Sequence, residues 1–274
     1  MYIISAVLEK EHTRAAIYDK EYKLLAELKG DVSAPAKLCE DIIAKSGVKP
    51  CEVGYVSVAA DSSFGTPDAI AAELEKSIGI KCYGVSLMNA RALGEAWLTN
   101  DRPSLFLLKI DDAIECGIVI DKKVYSGINQ LGGKIAHTVI DFGGYECSCG
   151  RRGCFEAYAG NSGLRRIAAE SGVEGASSLT HSKLFAMATP EAERAKRLYV
   201  EYLASGITDV INLFQPHELV LEGPFTKVGD ELMNPLMEII LREQYSSSIP
   251  NKCNIRYPNT EADTALIGAS LLGR

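Results

Sequence analysis

Gly133-Lys-Ile-Ala-His137 and, after nine intervening residues, Cys147-Ser-Cys149-Gly-Arg-Arg-Gly153-Cys154-Phe-Glu156 decide how this chain is read. The spacing His137-x9-Cys147-x-Cys149-x4-Cys154 offers three thiolates and one imidazole, the donor set of a structural zinc site. Four protein ligands close a tetrahedron and leave no position for a reactive water, which argues against hydrolytic zinc chemistry. Gly143, Gly144, Gly150 and Gly153 suit a tight knuckle around an ion. The competing reading is three free thiols in a loop with an unrelated histidine. Clustered, partly exposed thiols without a metal would oxidise, which disfavours it. Bound zinc would contribute to folding on the order of 10 kcal/mol.

The other five cysteines (39, 51, 82, 116 and 253) lie among apolar neighbours and are expected to be small buried hydrophobes. In a chain of 274 residues the length predicts about two domains and a core that needs no staples. Lys and Arg total 29 against 36 Asp and Glu, a net charge of −7 that argues against a large nucleic-acid footprint. No apolar run reaches the ~18 residues of a membrane span. The start, MYIISAVLEKEH, lacks a basic leader and a cleavage site and reads as a strand. A cytoplasmic protein is expected.

Outward from the cysteine stretch, a pattern occurs twice. Tyr2–Leu8, Thr13–Asp19 and Tyr22–Leu28 read as an antiparallel meander. A helix over 35–45 with Ser33 as cap, a strand over 53–60, a helix over 68–78, a strand over 82–86 and a helix over 89–98 follow. Strands are predicted again at 105–110, 114–120 and 123–125. After an irregular segment, 127–160, helices are predicted at 161–172, 180–188 and 190–213. A strand at 218–221, a helix at 229–243, a strand at 252–257 and a helix at 261–272 complete the chain. Three strands and then alternating helices and strands, twice over, predict an α/β protein of two lobes. The first lobe is expected over 1–103, rejoined by a C-terminal helix at 260–274, and the zinc-containing lobe over 104–259. Asn100-Asp101-Arg102-Pro103 is the only boundary mark. Tyr199 and Tyr202, on the long 190–213 helix, are expected in the core rather than at an interface.

Gly127-x5-Gly133-x3-His137, followed by C-x-C-G-x-x-G-C-x-E over 147–156, resembles the signature of the ROK family of repressors, open reading frames and sugar kinases. Asn89-Ala-Arg-Ala-Leu-Gly-Glu95 is similar to the end of the family's N-D-A-N-A-A-A-L-G-E segment. His217–Gly223 is similar to its P-x-x-I-V-L-G-G segment, and Leu266-Ile-Gly-Ala269 to its last helix. The resemblance implies the actin-like ATPase fold, in which two ribonuclease H-like lobes flank a cleft. It also implies a homodimer.

The family's kinases pass the ATP γ-phosphoryl group to a sugar hydroxyl, which needs a base, phosphate donors and Mg²⁺. Each part is altered here. The first phosphate loop, D-x-G-G-T-K, corresponds to Glu9-Lys-Glu11-His-Thr13-Arg14, where Glu11 replaces a glycine that lets backbone amides approach phosphate. The second, G-T-G-x-G, corresponds to Ala113-Ile-Glu115-Cys-Gly117. The adenosine side is reduced to Glu222-Gly223-Pro224, where proline removes a donor. The catalytic Asp falls at Leu87, preceded by Ser86, and leucine accepts no proton. Asp61 and Asp68 lie nearby without a pattern that places either at the sugar. The family's G-E-x-G-H reads Gly133-Lys134-Ile-Ala136-His137, so a sugar-binding Glu has become Lys134. His137 and Glu156 are the remaining sugar-contact candidates; the plain alternative for Glu156 is an acid at a helix N-terminus. The stretch 59–67 is compact beside the family's long sugar-covering loop.

Zinc is therefore expected on His137, Cys147, Cys149 and Cys154. ATP and Mg²⁺ are not expected, and no residue is assigned a catalytic role. The reading is a non-catalytic, sugar-sensing or regulatory module that takes a sugar or, through Lys134, a sugar phosphate. A sugar kinase of glucose, N-acetylglucosamine or N-acetylmannosamine type with altered motifs is the alternative, and a dimeric scaffold without ligand the third. The first strand starts at Tyr2, so DNA contact is expected only from a helix-turn-helix outside this sequence.

Overall fold

Val53–Ala60 is apolar but for Ser57, and in the computed structural model it is an inner strand buried at every residue except Gly54. The structure describes residues 1–10, 12–30, 34–99, 102–245 and 252–273. Glu11, Ser33 and Asn100-Asp101, each part of an expectation above, lie outside the described residues.

Strands β1 (Tyr2–Leu8), β2 (Thr13–Tyr18), β3 (Leu24–Gly30), β4 (Val53–Ala60) and β5 (Cys82–Ser86) form one sheet in the order β3-β2-β1-β4-β5. The meander pairs antiparallel, with Ser5 opposite Ala16 and Ala15 opposite Leu28. The crossovers pair parallel, with Ser5 opposite Ser57 and Val58 opposite Gly84. Alternate residues of β1 serve opposite faces. Ile4, Ala6 and Leu8 pack with Leu38 and Ile42 of α1 (Pro35–Ser46) and Leu74 of α2 (Pro67–Ile78). Val7 packs with Leu87 and Ala90 of α3 (Leu87–Leu98).

The second sheet repeats this order. Strands β6 (Leu105–Ile110), β7 (Ile114–Ile120), β8 (Lys123–Val124), β9 (Glu218–Glu222) and β10 (Asn254–Arg256) run β10-β9-β6-β7-β8. In each sheet the first strand of the meander receives the crossover strand on its other side, so the doubled pattern of the sequence is a doubled topology. Between β8 and β9 lie α4 (Phe155–Ala159), α5 (Asn161–Glu170), α6 (His181–Phe185) and α7 (Pro190–Phe214). Helix α8 (Asp230–Glu243) precedes β10, and α9 (Thr264–Ser270) closes the chain. By compactness the chain divides into one unit of 1–107, 117–132 and 259–274 and a second of 108–116 and 133–258. No helix of the described residues is long and apolar enough to cross a membrane.

In the first unit α9 lies on α3 at backbone contact. A Cβ on Gly268 would stand 1.7 Å from the Ala90 carbonyl oxygen, and one on Gly94 2.0 Å from that of Thr264. Only glycine admits that approach, and Ala265 and Ala269 keep the rest of the seam small.

Several elements differ from their sequence reading. β3 starts at Leu24, not Tyr22, because Tyr22 turns the chain with φ +62° while the Asp19 carboxylate accepts from the Glu21 and Lys23 amides. α9 starts at Thr264, where the Asp263 side chain caps the Leu266 amide. The irregular 127–160 segment contains α4, too short for its periodicity to show. Of the five cysteines expected in the core, only Cys39 and Cys82 are buried; Cys116 and Cys253 are half-buried. Cys51 is exposed, because it sits on a single 3-10 turn, Pro50–Glu52, ahead of β4. Tyr199 is fully buried, and the half-buried Tyr202 packs tilted against Tyr158 at 4.3 Å between ring centroids.

Candidate functional site

The cysteine stretch folds as a knuckle held by its own backbone. The Cys147 amide donates to the Arg151 carbonyl at 2.8 Å, and the Gly150 amide to the Cys147 carbonyl at 3.0 Å. Gly153, at φ +79°, donates to the Tyr145 carbonyl at 2.7 Å; a Cβ there would stand 1.8 Å from the Asp141 carbonyl oxygen. Tyr158 anchors the knuckle from α4: its hydroxyl donates to Asp141 at 2.6 Å and accepts from the Tyr145 amide at 2.8 Å.

This folding brings His137, Cys147, Cys149 and Cys154 together, their donor atoms all within 4.8 Å of one another. His137 Nδ1 lies 3.6 Å from Cys147 Sγ, and Cys149 Sγ lies 3.6 Å from Cys154 Sγ. Tetrahedral bonds of zinc length would set nitrogen–sulfur separations near ~3.6 Å and sulfur–sulfur separations near ~3.8 Å. The four side chains can hold a metal ion. The Cys149 thiol is drawn down to about 7, first by the Arg151 amide and then by the neighbouring thiols, while burial pushes the Cys154 thiol up.

Glu156 stands in the first turn of α4, two residues after Cys154. One carboxylate oxygen accepts from the Ile114 amide at 2.9 Å and the other from the Ser148 hydroxyl at 3.2 Å. It thus ties the knuckle to the start of β7. Lys134 is exposed and has no ion pair among the described residues, and Ala136 is buried on the 3-10 turn Ile135–His137.

The segments matched to phosphate loops are built otherwise. The β1–β2 hairpin closes through the Glu9 and His12 backbones, and Glu9 accepts from Arg14 at 2.7 Å. Arg14 also pairs with Asp263, so its guanidinium is held between two carboxylates. Residues 114–117 are strand, since Ile114 and Ile118 face the core, and Glu115 pairs across the strands with Lys109 at 3.8 Å. The β6–β7 turn is Asp111-Asp112-Ala113, and the Asn161 amide clasps both aspartates at 2.6 and 3.0 Å. On the third segment Gly223 lies against Ile110, and the 3-10 turn from Pro224 follows.

At the strand–helix junction after β5, Ser86 caps α3 by accepting the Asn89 amide, and Leu87 is 9% exposed within the apolar cluster of Val7, Ala16 and Val85. Asp61 caps the short turn after β4, accepting from the Ser63 amide and hydroxyl at 2.9 and 2.6 Å. Asp68 pairs with Gln130. Asn89 adds a buried polar contact to this junction. It is buried, accepts from the Ile118 amide at 2.9 Å and donates to Ser126 at 3.3 Å. Its signal was a lone amide in an otherwise apolar helix start.

Two five-stranded sheets of identical strand order are the doubled architecture of the actin-like ATPase fold. The ROK family model matches residues 11–274, and the chain belongs to the ROK family. It is 32% identical over 169 residues to a glucokinase of Halalkalibacterium halodurans, covering 55% of this chain and 51% of that one. It is 25% identical over 194 residues to a xylose repressor of Caldicellulosiruptor bescii, covering 65% and 48%. These matches span about half the length of each relative. The ROK hexokinase structure from Thermus thermophilus superposes with a TM-score of 0.83 at 23% identity, covering 99% of this chain and 97% of that one.

Proposed function

We propose that this chain is a non-catalytic, sugar-responsive ROK protein, the effector module of a regulator, with a structural zinc on His137, Cys147, Cys149 and Cys154. The observation that carries the proposal is Leu87. At the position matched to the family's base stands a leucine packed in an apolar cluster, with no acceptor for a hydroxyl proton. Arg14 between two carboxylates and the Asp111-Asp112 turn support the same reading, since the first commits its cation within the chain and the second presents two carboxylates where phosphate would need donors.

Zinc in this site supplies structure: it fixes the knuckle against α4. His137 and Glu156 are the sugar contacts we assign. Glu156 gives the response a physical route. A sugar hydroxyl that donates to its carboxylate competes with Ser148, the longer of its two bonds, and shifts the knuckle against β7. Lys134, in place of the family's Glu, extends the ligand class to sugar phosphates; equal binding of a sugar and its phosphate would remove that extension. A homodimer and a cytoplasmic location complete the proposal.

The test is a thermal-shift screen of the full chain with glucose, N-acetylglucosamine, N-acetylmannosamine, xylose and their phosphates, with and without ATP, beside a coupled assay for ADP. A sugar-dependent rise in Tm, unchanged by ATP and without ADP release, is expected. ADP release on a sugar would establish the kinase reading, which the glucokinase likeness favours. No shift with any sugar would leave a scaffold. Light scattering reads the dimer.

A further inference from the structure

We propose that the metal knuckle is a site of oxidative modification, in which a peroxide attacks Cys149 and Cys154 resolves it as a disulfide with release of the metal. The inference rests on the zinc reading above and adds a reaction to it.

The three thiols are not equivalent. Cys147 and Cys154 are buried, whereas Cys149 is exposed at the tip of the knuckle. Access decides which sulfur meets a solvent oxidant first. A resolving sulfur stands close by: Cys149 Sγ is 3.6 Å from Cys154 Sγ, while Cys147 Sγ lies 3.6 Å from His137 Nδ1. A disulfide needs about 2.05 Å, so the two sulfurs close by roughly 1.5 Å. Gly150 and Gly153, both at positive φ, flank Arg151 and Arg152 between them, and a segment hinged on two glycines can take up that movement.

The chemistry balances. The Cys149 thiolate attacks one peroxide oxygen; a sulfur–oxygen bond forms, the oxygen–oxygen bond breaks, and the hydroxide released takes a proton to become water. The Cys154 sulfur then attacks Cys149 Sγ; the sulfur–sulfur bond forms and the sulfur–oxygen bond breaks, releasing a second water. The two sulfurs together lose two electrons, and hydrogen peroxide takes them. His137 and Cys147 remain as donors, too few for a closed tetrahedral site. The change reaches the proposed ligand contact directly. Ser148, which donates to Glu156, sits between Cys147 and Cys149, and Cys154 adjoins the helix that carries Glu156.

The experiment titrates the purified full chain with hydrogen peroxide. Zinc release is followed with a chromogenic chelator, and the non-reduced chain is mapped by trypsin and fragmentation. Cleavage after Arg151 and Arg152 places Cys149 and Cys154 on separate peptides. The expected result is about one equivalent of zinc released in step with a Cys149–Cys154 crosslink, both reversed by dithiol and added zinc. Cys51, exposed and outside the knuckle, is the internal measure of oxidant dose. Cys51→Ser is expected to leave release unchanged. Zinc retained in full once Cys51 is oxidised, or a crosslink through Cys147 instead of Cys149, would overturn the proposal. A chain with no zinc before peroxide refutes the zinc reading instead, and the peptide map still decides whether Cys149 and Cys154 pair.

Discussion

His181 gives the candidate site a pH dependence that can be worked through. It is buried beside α7, and its Nε2 lies 2.8 Å from the Tyr199 hydroxyl. That hydroxyl donates in turn to the Ala159 carbonyl at 2.9 Å, at the end of the helix that starts at the metal knuckle. With the Tyr199 proton committed to Ala159, His181 is the donor of the first bond. Burial pulls the His181 pKa from 6.5 to about 4, and the Asp111 carboxylate only partly offsets this. The folded chain therefore keeps His181 neutral while the unfolded chain protonates it. Stability from this group is fully present above the unfolded value and is lost as pH falls from 6.5 toward about 4. Between about pH 7 and about pH 4.5 the loss is about 2 kcal/mol, at ~1.4 kcal/mol for each tenfold difference in proton affinity. His181→Phe keeps the ring contacts to Tyr199 and Phe225 and leaves the Tyr199–Ala159 bond in place. Urea unfolding followed by far-ultraviolet circular dichroism at the two pH values, on both proteins, isolates the His181 part. Protonation of the metal ligands and of other carboxylates cancels in the difference. The wild type is expected to lose about 2 kcal/mol more than the variant. Equal losses in the two proteins would refute the buried neutral histidine.

Gly153→Ala places a Cβ against the Asp141 carbonyl at a positive φ, and is expected to lower Tm and empty the metal site; a full zinc content by mass spectrometry would contradict this. Arg14→Ala leaves Glu9 and Asp263 without their cation. All three side chains are at most 26% exposed, so a loss of about 1–3 kcal/mol is expected in urea unfolding. Calorimetry should still detect no ATP binding. Glu156→Gln retains an acceptor for the Ile114 amide and is expected to fold within about 1 kcal/mol of wild type yet to lose the sugar-dependent rise in Tm. An unchanged rise would take Glu156 out of the ligand contact.

The fold was legible where burial imposes a period. Val53–Ala60 and Cys82–Ser86 were read to the residue, because apolar runs of strand length between turn residues have few alternatives. The convergence of His137, Cys147, Cys149 and Cys154 was legible because sulfur and imidazole at short spacing have a chemistry of their own. The β6–β7 turn was placed correctly between strands at 105–110 and 114–120, but its clasp was not legible, because Asn161, which holds Asp111 and Asp112, is far along the chain. A clasp between distant segments leaves no local trace. The same holds for Arg14 and Asp263, which lie at opposite ends of the sequence. Cys51 was misassigned because its apolar neighbour Val53 belongs to the strand that follows, not to the 3-10 turn that carries it.

The sequence differences at the phosphate-loop positions now have a common physical form. A nucleotide needs donors left open, which costs the free protein unsatisfied amides and unpaired cations. Among the described residues several donors are engaged within the chain: Arg14 Nη1 and Nη2 by Asp263 and Glu9, the Asn161 amide by Asp111 and Asp112, and the Ile114 amide by Glu156. Returning one glycine or one aspartate would leave the other clasps in place. Leu87→Asp shows why. It sets a carboxylate among Val7, Ala16 and Val85, where it costs stability, while Arg14 stays held by Glu9 and Asp263. We therefore expect Leu87→Asp to lower Tm and to release no ADP in the coupled assay. Measurable sugar-dependent turnover in that single variant would mean that the three clasps open on ATP binding and that the missing base alone had silenced a kinase.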